Sequence, residues 1–266
     1  MLKGEKRRLT YISRQCNKMP KKQAKTQRKR LFFDIETSPN IGLFFEAGYK
    51  KNITYQDIIK ERAIICICWK WEDQTDVAYL HWDSNQCDKK MLEKFVKIAN
   101  EADEIVGHNG DNFDLKWIRT RCLYHRIDMF PNYTTIDTLK LSRSKFKFNS
   151  NKLDYIGQFL GIGKKIKTDY SLWKEILLNK SSKHMALMVK YCQQDVKLLE
   201  KVYKKMSVHI APKTHFGVIF KSDKGDCPEC GSNDIVVNKT RYTAGGNKRI
   251  SYQCNTCHKY HTRAIK

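Results

Sequence analysis

The segment Leu31-Phe32-Phe33-Asp34-Ile35-Glu36-Thr37 restricts the fold more than any other part of the chain. Side chains alternate across a strand, so Asp34 and Glu36 share one face while Phe33 and Ile35 enter the core from the other. An apolar strand of this kind belongs inside a sheet, yet it carries two like charges side by side. No basic residue stands at strand spacing to compensate them, and a divalent cation is the simplest partner. A solvated edge face would also accommodate the pair, and D-x-E by itself does not decide.

The apolar periodicity around this segment alternates between two periods. It predicts strands over 31–37, 41–46, 63–71, 76–82 and 104–107, and helices over 89–100, 113–125, 152–160, 172–178 and 183–206. The expected fold class is therefore α/β, a mixed sheet flanked by helices. No apolar run approaches the roughly 18 residues needed to span a bilayer, so no membrane partner is expected. Position 1 opens onto a basic stretch without an apolar leader, so a reducing compartment is expected, cytoplasmic or nucleoid-associated, or nuclear if the source is eukaryotic.

Charge divides the chain further. Lys and Arg number 51 against 28 Asp and Glu, a net charge of +23. Residues 1–30 hold twelve basic side chains and one acid without hydrophobic period, and read as a flexible basic arm. Residues 31–210 form the body, 211–223 a linker, and 224–266 a small cysteine-bearing unit. So large an excess on a folded chain points to a polyanion, nucleic acid first of all. A solvated tail or a localisation signal is the alternative for the arm.

Two further segments carry carboxylates. Gly107-His108-Asn109-Gly110-Asp111-Asn112-Phe113-Asp114 is a glycine-rich turn between strand and helix, where sites are commonly built. Asp111 as a helix cap and Asp114 as a helix-start acid would explain it structurally. Tyr191-Cys192-Gln193-Gln194-Asp195 lies on the last long helix, where an i, i+4 pair shares a face. Tyr191 on its own is as well explained by packing.

Taken together, D-x-E, N-x-x-x-F-D and Y-x-x-x-D resemble the motifs of the DEDD 3′-to-5′ exonuclease superfamily, in its tyrosine (DEDDy) branch. Asp34 to Glu36 match the first motif, Asn109 to Asp114 the second, and Tyr191 to Asp195 the third. The resemblance covers residues 31–207 and is nearest to the proofreading domain of family B DNA polymerases, although 266 residues leave no room for a polymerase. It implies a ribonuclease-H-like fold and two Mg²⁺ or Mn²⁺ ions held by Asp34, Glu36, Asp114 and Asp195. In that scheme Tyr191 orients the attacking water, since an ordinary pKa near about 10 makes tyrosine a poor base. Ile35, Asn109 and Phe113 would align the terminal nucleotide, and nucleoside 5′-monophosphates would leave from a 3′ end.

At the other end, Cys227-Pro-Glu-Cys230-Gly and Cys254-Asn-Thr-Cys257 supply four thiolates that suit tetrahedral Zn²⁺. The segment resembles a zinc ribbon, with one structural zinc and a hairpin tip at 244–247. His258 and His261 are spare ligands that a complete thiolate set does not need. Lys239, Arg241, Tyr242, Lys248, Arg249 and Tyr252 interleave cations and rings as a nucleic-acid surface would; a protein-docking ribbon is the alternative.

The expectation is thus a metal-dependent 3′-to-5′ exonuclease, with DNA favoured over RNA. A structure-specific endonuclease or resolvase on a related scaffold is the rival enzyme, and a non-catalytic nucleic-acid-binding accessory protein the rival from outside catalysis.

Overall fold

The computed structural model describes residues 28–44, 46, 48, 53–72 and 74–265. Residues 1–27, expected as the basic arm, lie outside this set. Arg28, Lys29 and Arg30, counted with that arm in the sequence, instead belong to the body.

The central sheet has five strands in the order β5-β4-β1-β6-β7. These are β1 (Arg30–Thr37), β4 (Ile64–Trp71), β5 (Ala78–His81), β6 (Glu104–Gly107) and β7 (Thr135–Asp137). β4 runs antiparallel to both β1 and β5, whereas β1, β6 and β7 are parallel, so the sheet is mixed as expected. A minor two-stranded sheet pairs β2 (Ile41–Gly42) with β3 (Ile58–Lys60). The strand expected over 41–46 is cut to two residues. β1 is already paired on both edges, Pro39 has no N–H to extend a ladder, and Leu43 and Phe44 are left exposed.

Helices cover both faces. On one side, α1 (Lys89–Asn100) and α2 (Asp114–His125) pack on Leu31, Phe33, Ile35 and Ile67. The buried residues of α1, Met91, Leu92, Phe95, Val96 and Ala99, form a single helical stripe. On the other side, α6 (Ser182–Met206) crosses Phe32, Cys66 and Cys68, with α4 (Leu153–Phe159) and α5 (Tyr170–Leu178) beside it. Asp34 and Glu36 continue the column begun by Phe32, on the face that α6 covers. A helix not anticipated, α3 (Thr138–Lys145), follows β7, with Asp137 as its cap accepting from the Leu139 and Lys140 amides. No described helix is long and apolar enough to cross a membrane.

After α6 the chain makes a 3-10 turn (Ser207–His209), a short helix, α7 (Phe216–Ile219), and then a three-stranded sheet, β8 (Ile235–Tyr242), β9 (Lys248–Cys254) and β10 (Tyr260–Ile265), with β9 central. The hairpin matches expectation and the third strand adds to it. Ion pairs join this unit to the body. Glu229, between the first two cysteines of the unit, meets Arg28, Arg30 and Lys259. Arg30, 2% exposed, also binds Glu104 and Glu72. The guanidinium of Arg28 lies 5.3 Å from the Phe216 ring, and that of Arg30 lies 5.0 Å from Tyr203.

Candidate active site and metal centres

β1, α2 and α6 bring four carboxylates together. Oxygens of Asp34, Glu36 and Asp195 lie within 4.8 Å of one another. Asp114, 3% exposed, accepts a hydrogen bond from the Ile35 amide at 3.1 Å, which fastens the first turn of α2 between the two acids of β1. Behind them the Cys192 thiol donates to the Asp34 carbonyl at 3.4 Å, tying α6 to the same strand.

Burial and mutual repulsion govern the charges. Burial, then the charges of Asp114, Glu36 and Asp195, raise the Asp34 carboxyl well above its ordinary range. Burial and Asp195 push Glu36 up to about 8, and burial chiefly raises Asp114 to about 7. Asp195, 1% exposed, is raised by burial even though Lys165 and Tyr191 hydrogen-bond to it. Its Oδ1 is buried with no hydrogen-bond partner. Several carboxylates competing for too few protons, with an orphaned acceptor among them, fit a site for divalent cations, whose hard charge favours oxygen donors.

Sequence reasoning missed Lys165. It sits on the loop between α4 and α5, and its Nζ donates to Asp195 Oδ2 at 2.6 Å while lying 5.5 Å from the Tyr191 ring. One ammonium thus stands against four carboxylates. Nothing in the periodicity of Gly161-Ile-Gly-Lys-Lys165 marks it, because the loop has none. Tyr191 itself is half-buried, and burial followed by Asp195 pushes its hydroxyl up to about 12.

The glycine-rich turn is built for close backbone approach. A Cβ at Gly110 would lie 3.1 Å from the Gly107 Cα, so the loop folds back on the end of β6. Asn109 takes a left-handed conformation (φ 67°), and its amide donates to Asp137 Oδ1 at 2.9 Å. Asp111 does not cap α2; it pairs with Lys140. Phe113 is half-buried on the α2 side and, with Glu36, Arg62, Tyr170 and Trp173, lines a cavity of about 570 Å³ beside the carboxylates. Ile35 is buried and reaches the site only through its amide.

The second centre is the cysteine group. The sulfurs of Cys227, Cys230, Cys254 and Cys257 lie within 4.8 Å of one another, with Cys227–Cys257 and Cys230–Cys254 at 3.6 Å. Tetrahedral Zn²⁺ with Zn–S near 2.3 Å sets sulfurs about 3.8 Å apart, so the residues fit the ion. Both knuckles turn the same way: Gly231 (φ 74°) and His258 (φ 60°) follow the second cysteine of each pair in left-handed backbone. His258 therefore occupies the turn position, and His261 is turned to Arg263, 2.9 Å from its Nε2.

Strand register sorts the proposed contact residues. Lys239, Arg241 and Arg249 share one face of the small sheet, and Tyr242, Lys248 and Tyr252 the other. Tyr252 is stacked on His261 with Arg263 4.6 Å from its ring, so its face is already occupied.

Comparison with known proteins agrees with this architecture. Residues 31–207 match the model of a family in the RNase H superfamily. A DNA polymerase of Thermococcus hydrothermalis is 34% identical over 96 residues, 35% of this chain and 5% of that polymerase. Those of Thermococcus gorgonarius (35% over 95 residues, 11% of its length) and Thermococcus litoralis (37% over 95 residues, 5%) are comparable, each matching 35% of this chain. The chain thus spans only a small part of these relatives. The family B DNA polymerase of Pyrobaculum calidifontis superposes with a TM-score of 0.52 at 17% identity, covering 68% of this chain and 25% of that one. With two thirds of its length matched by the family, the chain belongs to the RNase H superfamily.

Proposed function

We propose that the protein is a metal-dependent 3′-to-5′ exonuclease that removes nucleoside 5′-monophosphates from nucleic acid, with DNA favoured over RNA. The observation that carries the reading is the convergence of Asp34, Glu36 and Asp195 oxygens within 4.8 Å, with Asp114 locked to the strand between them. Similarity to DNA polymerases supports a DNA substrate.

Asp34, Glu36, Asp114 and Asp195 would hold two Mg²⁺ or Mn²⁺ ions. When bound, such a pair supplies an activated water and charge stabilisation for the departing 3′ oxygen. The protein's own groups do the positioning. Tyr191, whose raised pKa keeps its proton at neutral pH, orients the water through its hydroxyl. Lys165 balances part of the carboxylate charge and yields Asp195 to an incoming cation. The cavity beside Glu36, lined by Phe113, Tyr170 and Trp173, has the size and aromatic walls for a terminal base.

The four thiolates would hold one structural Zn²⁺, which orders a unit too small to fold on its own core. None of the described cysteines is in a disulfide, which leaves the four sulfurs available to a metal. Lys239, Arg241 and Arg249 on one face, with Tyr242 and Lys248 on the other, would contact substrate. Asp114→Ala should abolish Mg²⁺-dependent hydrolysis and spare binding; hydrolysis retained in that variant would place the chemistry elsewhere.

A further inference from the structure

Between the small sheet and the body lies a cleft of about 750 Å³. The body contributes Lys145 to its walls, the linker Lys213, and the ribbon Lys224, Arg241 and Arg263. No aspartate or glutamate lines it. The contrast with the adjoining seam is sharp, for there Arg28, Arg30 and Lys259 are matched by Glu72, Glu104 and Glu229. Among the described residues none of the five cleft cations makes a salt bridge, although the charge of Lys213 helps hold the Asp111 carboxyl below its ordinary range. Lys213 donates to the Thr135 carbonyl at 2.5 Å, and Arg263 to the Asp226 carbonyl at 3.1 Å.

Two imidazoles in the same walls carry unused donors. Arg263 can only donate, so His261 Nε2 accepts its bond and the ring proton sits on Nδ1. The Val218 amide donates to His215 Nδ1, which puts that proton on Nε2. Both His261 Nδ1 and His215 Nε2 are buried without a hydrogen-bond partner, and His261 is 6% exposed. A cleft with five cations outside any salt bridge and two orphaned N–H donors is complementary to an anion rich in acceptors.

We infer that this body–ribbon cleft binds the sugar–phosphate backbone of nucleic acid, upstream of the terminus held at the carboxylates. The placement of the terminus rests on the nuclease reading; the anion-binding character of the cleft does not. Lys213 reaches Thr135, which is level through the register of β7, β6 and β1 with Leu31, three residues before Asp34. Thr135 is also two strands across from β1, so at about 3.3 Å per residue and about 4.8 Å per strand the cleft begins about 14 Å from the acids, or about four nucleotide steps at 3.4 Å. A bound strand must therefore exceed about four nucleotides to engage both sites.

The test uses the full chain carrying Asp114→Ala, so that substrate survives, with and without Lys145→Gln plus Lys224→Gln. Fluorescence anisotropy would follow labelled oligonucleotides of 3 and 16 nucleotides across a salt series. The added pair should weaken the 16-mer about tenfold, leave the 3-mer unchanged, and flatten the salt dependence by about 1.4 in log–log slope, two single-strand contacts at about 0.7 each. Zinc content and melting temperature report that the pair has not disturbed the fold. Unchanged 16-mer affinity and slope would overturn the inference and point to another occupant, as would an equal loss on both lengths. If the unmutated protein fails to hydrolyse nucleic acid while the 16-mer loss is seen, the nuclease reading falls and the cleft stands.

Discussion

Replacing Lys165 with methionine should destabilise the metal-free protein and leave the metal-loaded protein almost untouched. The ammonium lies 2.6 Å from Asp195 Oδ2, and the carboxylate is 1% exposed whereas the lysine is 31% exposed. Charges about 4 Å apart at an effective dielectric near 20 attract by about 4 kcal/mol, and solvent screening of the half-open lysine reduces the net effect to about 2 kcal/mol. At about 2–4 °C per kcal/mol for a domain of this size, Tm should fall by about 4–8 °C in EDTA. Methionine keeps the apolar stem against Tyr191. A divalent cation between Asp34, Glu36 and Asp195 would supply the positive charge the lysine had supplied, so saturating Mg²⁺ should bring the variant within about 2 °C of the parent. Thermal melts in EDTA and in Mg²⁺ measure both differences. An equal deficit under both conditions, or none in EDTA, would refute the idea that Lys165 and the cation answer the same charge.

Cys230→Ser should lower bound zinc from one per chain and expose 224–265 to protease while the body stays folded; full zinc occupancy by mass spectrometry would contradict the four-thiolate centre. Glu229→Ala leaves Arg28, Arg30 and Lys259 without a shared partner and should cost about 2–4 kcal/mol in denaturant unfolding, against under 1 kcal/mol for exposed Glu101→Ala. His108 donates from Nε2 to the Asn151 carbonyl, and burial holds its pKa down to about 4 from 6.5. Because the unfolded chain takes up this proton first, the contribution is full above pH 6.5 and is lost as pH falls through 4, up to about 3 kcal/mol. His108→Gln should flatten that limb, and an unchanged stability–pH curve would show that the imidazole is not the titrating group.

Some of this was legible in the primary structure because it follows from local period. The alternation in Phe33-Asp34-Ile35-Glu36 places both acids on one face whatever surrounds them, and the i, i+4 spacing of Tyr191 and Asp195 does the same on α6. The paired CxxC spacing encodes the thiolate group as directly. What escaped depends on contacts distant in sequence. Lys165 acquires meaning only when its loop folds over α6, and Glu229 looks like a spacer between two cysteines until Arg28 and Arg30 meet it. The periodicity does not mark β10 because Tyr260-His-Thr-Arg-Ala-Ile265 is too polar to read as a strand, and its place beside β9 follows from ladder pairing with a distant segment. The three residues ending the expected arm were misassigned by their charge, which here serves buried pairing.

The central claim is direction and chemistry at the carboxylates. The decisive measurement is digestion of one DNA strand labelled either at its 5′ or its 3′ end, with Mg²⁺ or Mn²⁺ and with the Asp34→Ala protein as control. The account predicts immediate release of labelled mononucleotide from the 3′-labelled strand, a shortening ladder from the 5′-labelled strand, and neither with the variant. Internal fragments without mononucleotide, release from the 5′ end, or equal turnover by Asp34→Ala would contradict it.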